Sequence, residues 1–113
     1  MHAKWDTLIV DLDGTLLNSN GLISEQNLHA FCKVQEQGIK IIVATGRCYS
    51  ECNNLLCKLK NNNISICAGG SMLHDSRGKI LDSVPLSCEI VEEVSEDILN
   101  NGYRYLLLKD IRK

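Results

Sequence analysis

Leu8-Ile9-Val10-Asp11-Leu12-Asp13-Gly14-Thr15 is the stretch that decides the fold. Thr7 to Val10 reads as a short buried strand, apolar and closed by an Asp-Gly signal. Side chains alternate along a strand, so Asp11 and Asp13 point to the same side of its tip. Two carboxylates held there repel each other unless a cation or a shared proton compensates. That cost suggests chemistry: one carboxylate as nucleophile, the other as proton carrier, and Mg²⁺ holding the site. A plainer reading stands beside it. Asp11 would cap a turn at the strand end, and Asp13 would be an Asx-turn residue before Gly14. Gly14 lets the backbone bend sharply, and Thr15 orders the loop.

Outward from this stretch the chain alternates strands and helices. Leu16 to Ile23 is a loop with Asn-Ser-Asn-Gly turn chemistry. Ser24 caps a helix to about Gln37, with Leu28, Phe31, Cys32 and Val34 as an apolar stripe and Gly38 as its stop. Ile39 to Ala44 is a second buried strand. Ser50 to Lys60 is a second helix, with Cys52, Leu55, Leu56 and Leu59 at helical spacing. Ile64 to Cys67 is a third strand. Strands joined this way lie parallel, with helices packed on the sheet faces. The fold class is therefore α/β, a Rossmann-like parallel sheet. Ligand sites in such sheets form at the carboxyl ends of the strands. Asp11 and Asp13, Thr45 to Arg47, and Gly69 to Ser71 all fall there.

Ser71 to Leu73 and Lys79 to Ser83 flank Asp75-Ser76-Arg77-Gly78 as a hairpin. Pro85 closes that unit. Ser87 caps a third helix carrying Ile90, Val91, Val94, Ile98 and Leu99, ended by Gly102, and Tyr103 to Leu108 reads as a further strand. The expected division is a core over residues 1–85 and a second, incomplete unit over 86–113.

Composition bounds the function. The chain has 113 residues, 44% of them hydrophobic and only 4% aromatic, so the core rests on Leu, Ile, Val and Cys. A net charge of −2 implies no basic face, which argues against a nucleic-acid partner. No apolar run reaches the length of a membrane span, and Met1 to Asp6 does not read as a secretory signal. The six cysteines lack C-x-x-C spacing, so zinc-ribbon and thioredoxin readings fail, and reduced thiols in a cytoplasm are expected. Cys48 and Cys52 lie one turn apart. A metal pair is one reading of them, and small core or surface residues is the one preferred. His2, His29 and His74 have no partner spacing of a triad or a metal site. The acidic stretch Glu89 to Asp97 reads as a solvated helix face.

Asp11-Leu12-Asp13-Gly14-Thr15, together with Leu16-Leu17-Asn18-Ser19, Ile23-Ser24 and Ile41-Ile42-Val43-Ala44-Thr45-Gly46-Arg47, resembles the haloacid dehalogenase-like (HAD) superfamily, and within it the Cof-type sugar phosphatases. The likeness is close over residues 6–85 and looser beyond. It implies an Mg²⁺-dependent phosphohydrolase of small phosphorylated metabolites, sugar phosphates foremost, working through an aspartyl-phosphate. Asp11 would be the nucleophile and Asp13 the general acid, then base. Thr45 and Gly46 would bind the phosphoryl group at a helix N-terminus, where Thr45 also reads as a simple N-cap. Arg47 would contact phosphate or stand as a solvated surface arginine. Mg²⁺ would sit between Asp11 and the backbone carbonyl of Asp13. The residues from 86 on would begin an α/β cap.

The sequence also departs from that pattern. The later lysine and the later Gly-Asp-x-x-Asn-Asp motif of such enzymes have no counterpart here, since Lys109 and Asp110 lie where a cap would begin. Gly69 stands where asparagine is common, and Cys48 where proline is frequent. The expectation is the N-terminal portion of a larger enzyme, prone to self-association. A catalytically inactive remnant or binding module of the same fold, and a phosphomutase relative, are the alternatives. A receiver-like phosphoacceptor is disfavoured by the Gly-Thr after Asp13 and by Thr45-Gly46-Arg47.

Overall fold

The structure is a computed structural model that describes residues 4–105. Its elements are β1 (Thr7–Val10), α1 (Glu25–Glu36), β2 (Lys40–Ala44), α2 (Tyr49–Leu59), β3 (Ser65–Cys67), β4 (Met72–His74), β5 (Ile80–Ser83) and α3 (Cys88–Asn100). The chain forms two compact units, Met1–Ser83 and Val84–Lys113.

In the first unit the five strands lie in the order β1-β2-β3-β4-β5. β1, β2 and β3 run parallel, and β4 and β5 form the expected antiparallel hairpin, so the sheet is mixed. α1 starts and stops where its chemistry says it should. Ser24 accepts a hydrogen bond from the Asn27 N–H at 3.1 Å and so satisfies an orphan donor at the start of α1. Gly38, at φ +78, ends that helix by donating to the Gln35 carbonyl at 2.9 Å.

Register fixes which side chains share a face. Leu8 pairs with Ile41 and Val10 with Val43, while Val43 pairs with Ser65. That face carries the core. Ile41, Val43 and Cys67 are buried with Leu12 and Phe31, and with Cys52, Leu56 and Leu59 of α2. Both helices of this unit therefore cover one face of the sheet, rather than one helix on each face. On the other face Ile9 is 61% exposed, and even Leu8, on the core face, is 44% exposed. The expectation of a buried first strand is corrected. β1 is an edge strand among the described residues, and no described element covers its flank.

The second unit holds α3, capped by Ser87, whose hydroxyl accepts from the Ile90 N–H at 3.3 Å. α3 has no buried residue, and its acidic side chains are all exposed. The strand expected over Tyr103 to Leu108 is not formed at Tyr103 to Tyr105, and its remainder lies outside the described residues, as do His2, Lys109 and Asp110. Among the described residues no helix is long and apolar enough to cross a membrane.

Candidate active site

The chain leaves β1 through a tight turn over Leu12 to Leu16, closed by a 2.9 Å hydrogen bond from the Leu17 N–H to the Leu12 carbonyl. Leu12 and Leu16 are buried and anchor the turn from below. Gly14 sits at φ +73 and ψ 0, a conformation that costs glycine little and other residues more. The turn leaves Asp11 and Asp13 exposed on either side of buried Leu12. One Asp11 carboxylate oxygen accepts from the Leu12 N–H at 2.7 Å, which fixes the side chain against its own backbone.

Asp13 is held differently. Arg47 grips its carboxylate with two hydrogen bonds, Nε to Oδ2 at 2.7 Å and Nη2 to Oδ1 at 2.6 Å. This fork geometry is the strong form of a charge-assisted pair. The Arg47 guanidinium holds the Asp13 carboxyl below its ordinary range, chiefly through these bonds. Arg47 stays partly solvated, as in the alternative reading, but is tied to Asp13. Its side chain is 33% exposed and engaged with Asp13. A guanidinium has five N–H donors, so three remain for another anion.

Thr45 is buried, and its place differs from the expected helix cap. The cap of α2 is Cys48, three residues later; its N–H donates to Glu51 Oε2 at 2.8 Å. Thr45 Oγ1 instead accepts from the Arg47 N–H at 3.1 Å and shapes the loop between β2 and α2. The tip of β3 closes over that loop. The Ala68 N–H donates to the Arg47 carbonyl at 2.8 Å, and the Gly69 N–H to the Thr45 carbonyl at 3.3 Å. Ala68, Gly69 and Gly70 all have positive φ, which explains why a glycine pair follows β3. Gly46 is exposed, with open space where a Cβ would stand.

The structure therefore links Asp13 to Arg47, Arg47 to Thr45, and Thr45 to Gly69, across three strand ends. Asp11 shares the β1 end with Asp13 but makes no hydrogen bond to the others among the described residues. The sequence reading missed the Asp13–Arg47 pair. The signal was available: a lone arginine on the neighbouring strand tip, beside two carboxylates that needed compensation.

Residues 8–112 match the family profile of haloacid dehalogenase-like hydrolases. The chain belongs to that family. It is 36% identical over 98 residues to the phosphatase YwpJ of Bacillus subtilis, covering 87% of this chain and 34% of that protein. It is 35% identical over 75 residues to the 5-amino-6-(5-phospho-D-ribitylamino)uracil phosphatase YcsE of the same organism, covering 66% of this chain and 30% of that one. Among solved structures, a haloacid dehalogenase-like hydrolase from Bacteroides thetaiotaomicron superposes with a TM-score of 0.78 at 27% identity, over 88% of this chain and 39% of that one. The chain spans about a third of the length of the curated relatives it matches.

The donor set suits Mg²⁺ in kind. The Asp11 carboxylate and the Asp13 backbone carbonyl are hard oxygen donors, and Mg²⁺ is commonly held by one or two carboxylates, waters and substrate phosphate. Arg47 engages both Asp13 carboxylate oxygens, so Asp13 would offer a cation its carbonyl rather than its side chain. Among the described residues no group of three or more His, Cys, Asp or Glu side chains could hold a metal alone.

Proposed function

We propose that this chain carries the nucleophile-bearing part of an Mg²⁺-dependent phosphohydrolase of small phosphorylated metabolites, with sugar phosphates as the leading class. The observation that carries the reading is the β1 tip itself. An exposed, backbone-fixed carboxylate, Asp11, stands two residues from a carboxylate clamped by an arginine of the next strand tip. The relatives YwpJ and YcsE are phosphatases by name.

In this reading an Asp11 oxygen attacks phosphorus, and the bond from phosphorus to the leaving oxygen breaks. Asp13, protonated once Arg47 leaves its carboxylate for the incoming phosphate, gives that oxygen its proton. In the second half Asp13 takes a proton from water, the water oxygen attacks phosphorus, and Asp11 is released with inorganic phosphate. The Thr45 hydroxyl and the Gly46 N–H, exposed beside it, bind phosphoryl oxygens. Arg47, with three donors unused in the fork, turns from Asp13 to the same group. Bound Mg²⁺ supplies positive charge that offsets the repulsion between carboxylate and phosphate. Asp11 and the Asp13 carbonyl would hold it. The cytoplasm, with its reduced thiols, is the compartment proposed.

A second reading, phosphate binding without turnover, is favoured by the Asp13–Arg47 fork, which holds the Asp13 carboxyl ionised and without a proton to give. Phosphate release from an aryl phosphate and a panel of sugar phosphates, with and without Mg²⁺, separates the two. Under the first reading release requires Mg²⁺, disappears in Asp11→Asn, and falls by ~10²–10⁴-fold in Asp13→Asn. A folded chain that binds inorganic phosphate and releases none supports the second.

A further inference from the structure

Arg47 is held at its backbone before its side chain meets Asp13. Its N–H donates to Thr45 Oγ1 at 3.1 Å, and its carbonyl accepts from the Ala68 N–H at 2.8 Å. Two residues on, the chain enters α2 at Tyr49. That side chain has a seat of its own, and no step of the proposed chemistry uses it.

The seat is the β4–β5 hairpin, whose turn is fixed by local bonds. Asp75 Oδ1 accepts from the Arg77 N–H at 2.8 Å and from the Lys79 N–H at 2.9 Å. The Gly78 N–H donates to the Asp75 carbonyl at 3.1 Å. His74 is only 3% exposed, and its Nδ1 lies 3.2 Å from the Gly78 carbonyl. A carbonyl only accepts, so Nδ1 carries the proton and the imidazole is tied to the turn. The Tyr49 ring stacks on that imidazole, with centroids 4.5 Å apart and planes 24° from parallel. The far end of the ring lies on Gly78. A Cβ there would stand 2.6 Å from Tyr49 Oη and 2.7 Å from its Cε1 and Cζ, well inside contact distance. Gly78, at φ +85, thus permits the turn and leaves room for the tyrosine. The hairpin is joined in turn to β3, where His74 pairs with Ser65.

We propose that Tyr49 is a positioning residue for Arg47. Seated between His74 and Gly78, it fixes the first turn of α2 and so the root of the Arg47 side chain. From that root the guanidinium reaches Asp13 and, under the phosphohydrolase reading on which this inference rests, the phosphoryl group. A long side chain gives up rotamer freedom when it binds. An anchored root leaves less of that freedom to lose.

The test uses the whole chain and inorganic phosphate, titrated by calorimetry. The Arg47 Nε–H resonance, hydrogen-bonded to Asp13 in the phosphate-free chain, is followed in parallel and identified by its loss in Arg47→Gln. Tyr49→Leu removes the stack. It should weaken phosphate binding by about 2–10-fold. It should also move the Nε–H resonance toward those of the exposed Arg77 and Arg104. Tyr49→Phe keeps a ring on His74 and should restore both. Gly78→Ala displaces the ring without removing it, should repeat the Tyr49→Leu result, and takes its place if Tyr49→Leu does not fold. Leu59→Ala opens a cavity at the far end of the same helix. It should lower the unfolding midpoint and move neither readout. Unchanged affinity and resonance in folded Tyr49→Leu or Gly78→Ala overturn the proposal, as do equal changes in Leu59→Ala. If Arg47→Gln binds phosphate as tightly as the unaltered chain, the reading of Arg47 as a phosphate ligand fails instead, and the resonance alone decides the role of Tyr49.

Discussion

β1 and β2 are neighbouring strands of nearly the same composition, paired in register, and they live in different environments. Ile41 and Val43 of β2 are fully buried, whereas Leu8 of β1 is 44% exposed and Ile9 is 61% exposed. The ladder between them is regular from Thr7↔Lys40 to Val10↔Val43. Hydrogen bonding therefore treats the two strands alike, and packing does not. α1 and α2 lie over β2 and leave the flank of β1 open. An apolar run says that a strand forms. Only the tertiary arrangement says what covers it.

The sharpest way to break this comparison is a pair of truncations. Ile41→Ala removes atoms from the centre of the core and should cost about 2–5 kcal/mol. Ile9→Ala, one strand over and largely in water, should stay within roughly 0.5 kcal/mol, as for most surface substitutions. Urea unfolding of the two variants, read as midpoint shifts at constant slope, checks both. Equal costs would mean that β1 is covered in solution, by a second copy of the chain or by further polypeptide.

The helices carry the same lesson into what was legible beforehand. Apolar spacing located α2 and α3 equally well, and Ser24 and Ser87 were both recognised as caps. Yet α2 buries Cys52, Leu56 and Leu59, and α3 buries nothing. The local signals of strand, cap and turn are short-range, so a single sequence displays them. The strand tips bearing Asp11, Asp13, Thr45 and Arg47 were legible for the same reason. Three features were not: the fork between Asp13 and Arg47, the buried place of Thr45 behind the true cap Cys48, and the exposure of β1. The fork and the exposure of β1 depend on residues far apart in the chain, 34 positions in the case of Asp13 and Arg47, whereas the Cys48–Glu51 cap is local and cysteine is simply a rare residue there.

Capping sharpens the contrast at smaller scale. Ser24→Ala should cost about 1 kcal/mol of the stability of the unit that holds the core, because α1 lies within that cooperative structure. Ser87→Ala removes a similar bond from a helix with no buried residue. It should lower the helicity of the 88–100 segment and leave the main unfolding midpoint in place. Circular dichroism against urea separates the outcomes. A shared midpoint shift would show that the two units unfold as one.

The tip of β1 is tied to its neighbour by side chains where its flank is not, and pH tests that at the smallest expected effect. Arg47 depresses the Asp13 carboxyl through two hydrogen bonds. A depressed carboxyl stabilises the folded chain above its unfolded-state value, and that contribution is lost as pH falls through the lower, folded value. Arg47→Gln should therefore raise the Asp13 midpoint toward the ordinary carboxylate range, followed by the carboxyl carbon resonance in an acid titration. The Asp75 carboxyl, held down mainly by the Lys79 and Arg77 backbone N–H groups, should not move, and it serves as the internal control. The pair is solvent-exposed, so added salt should weaken the Asp13 shift and leave Asp75 nearly unchanged. An Asp13 midpoint that ignores both the substitution and the salt would mean that the fork does not persist in solution, and Arg47 would then be available to an incoming phosphate with all its donors.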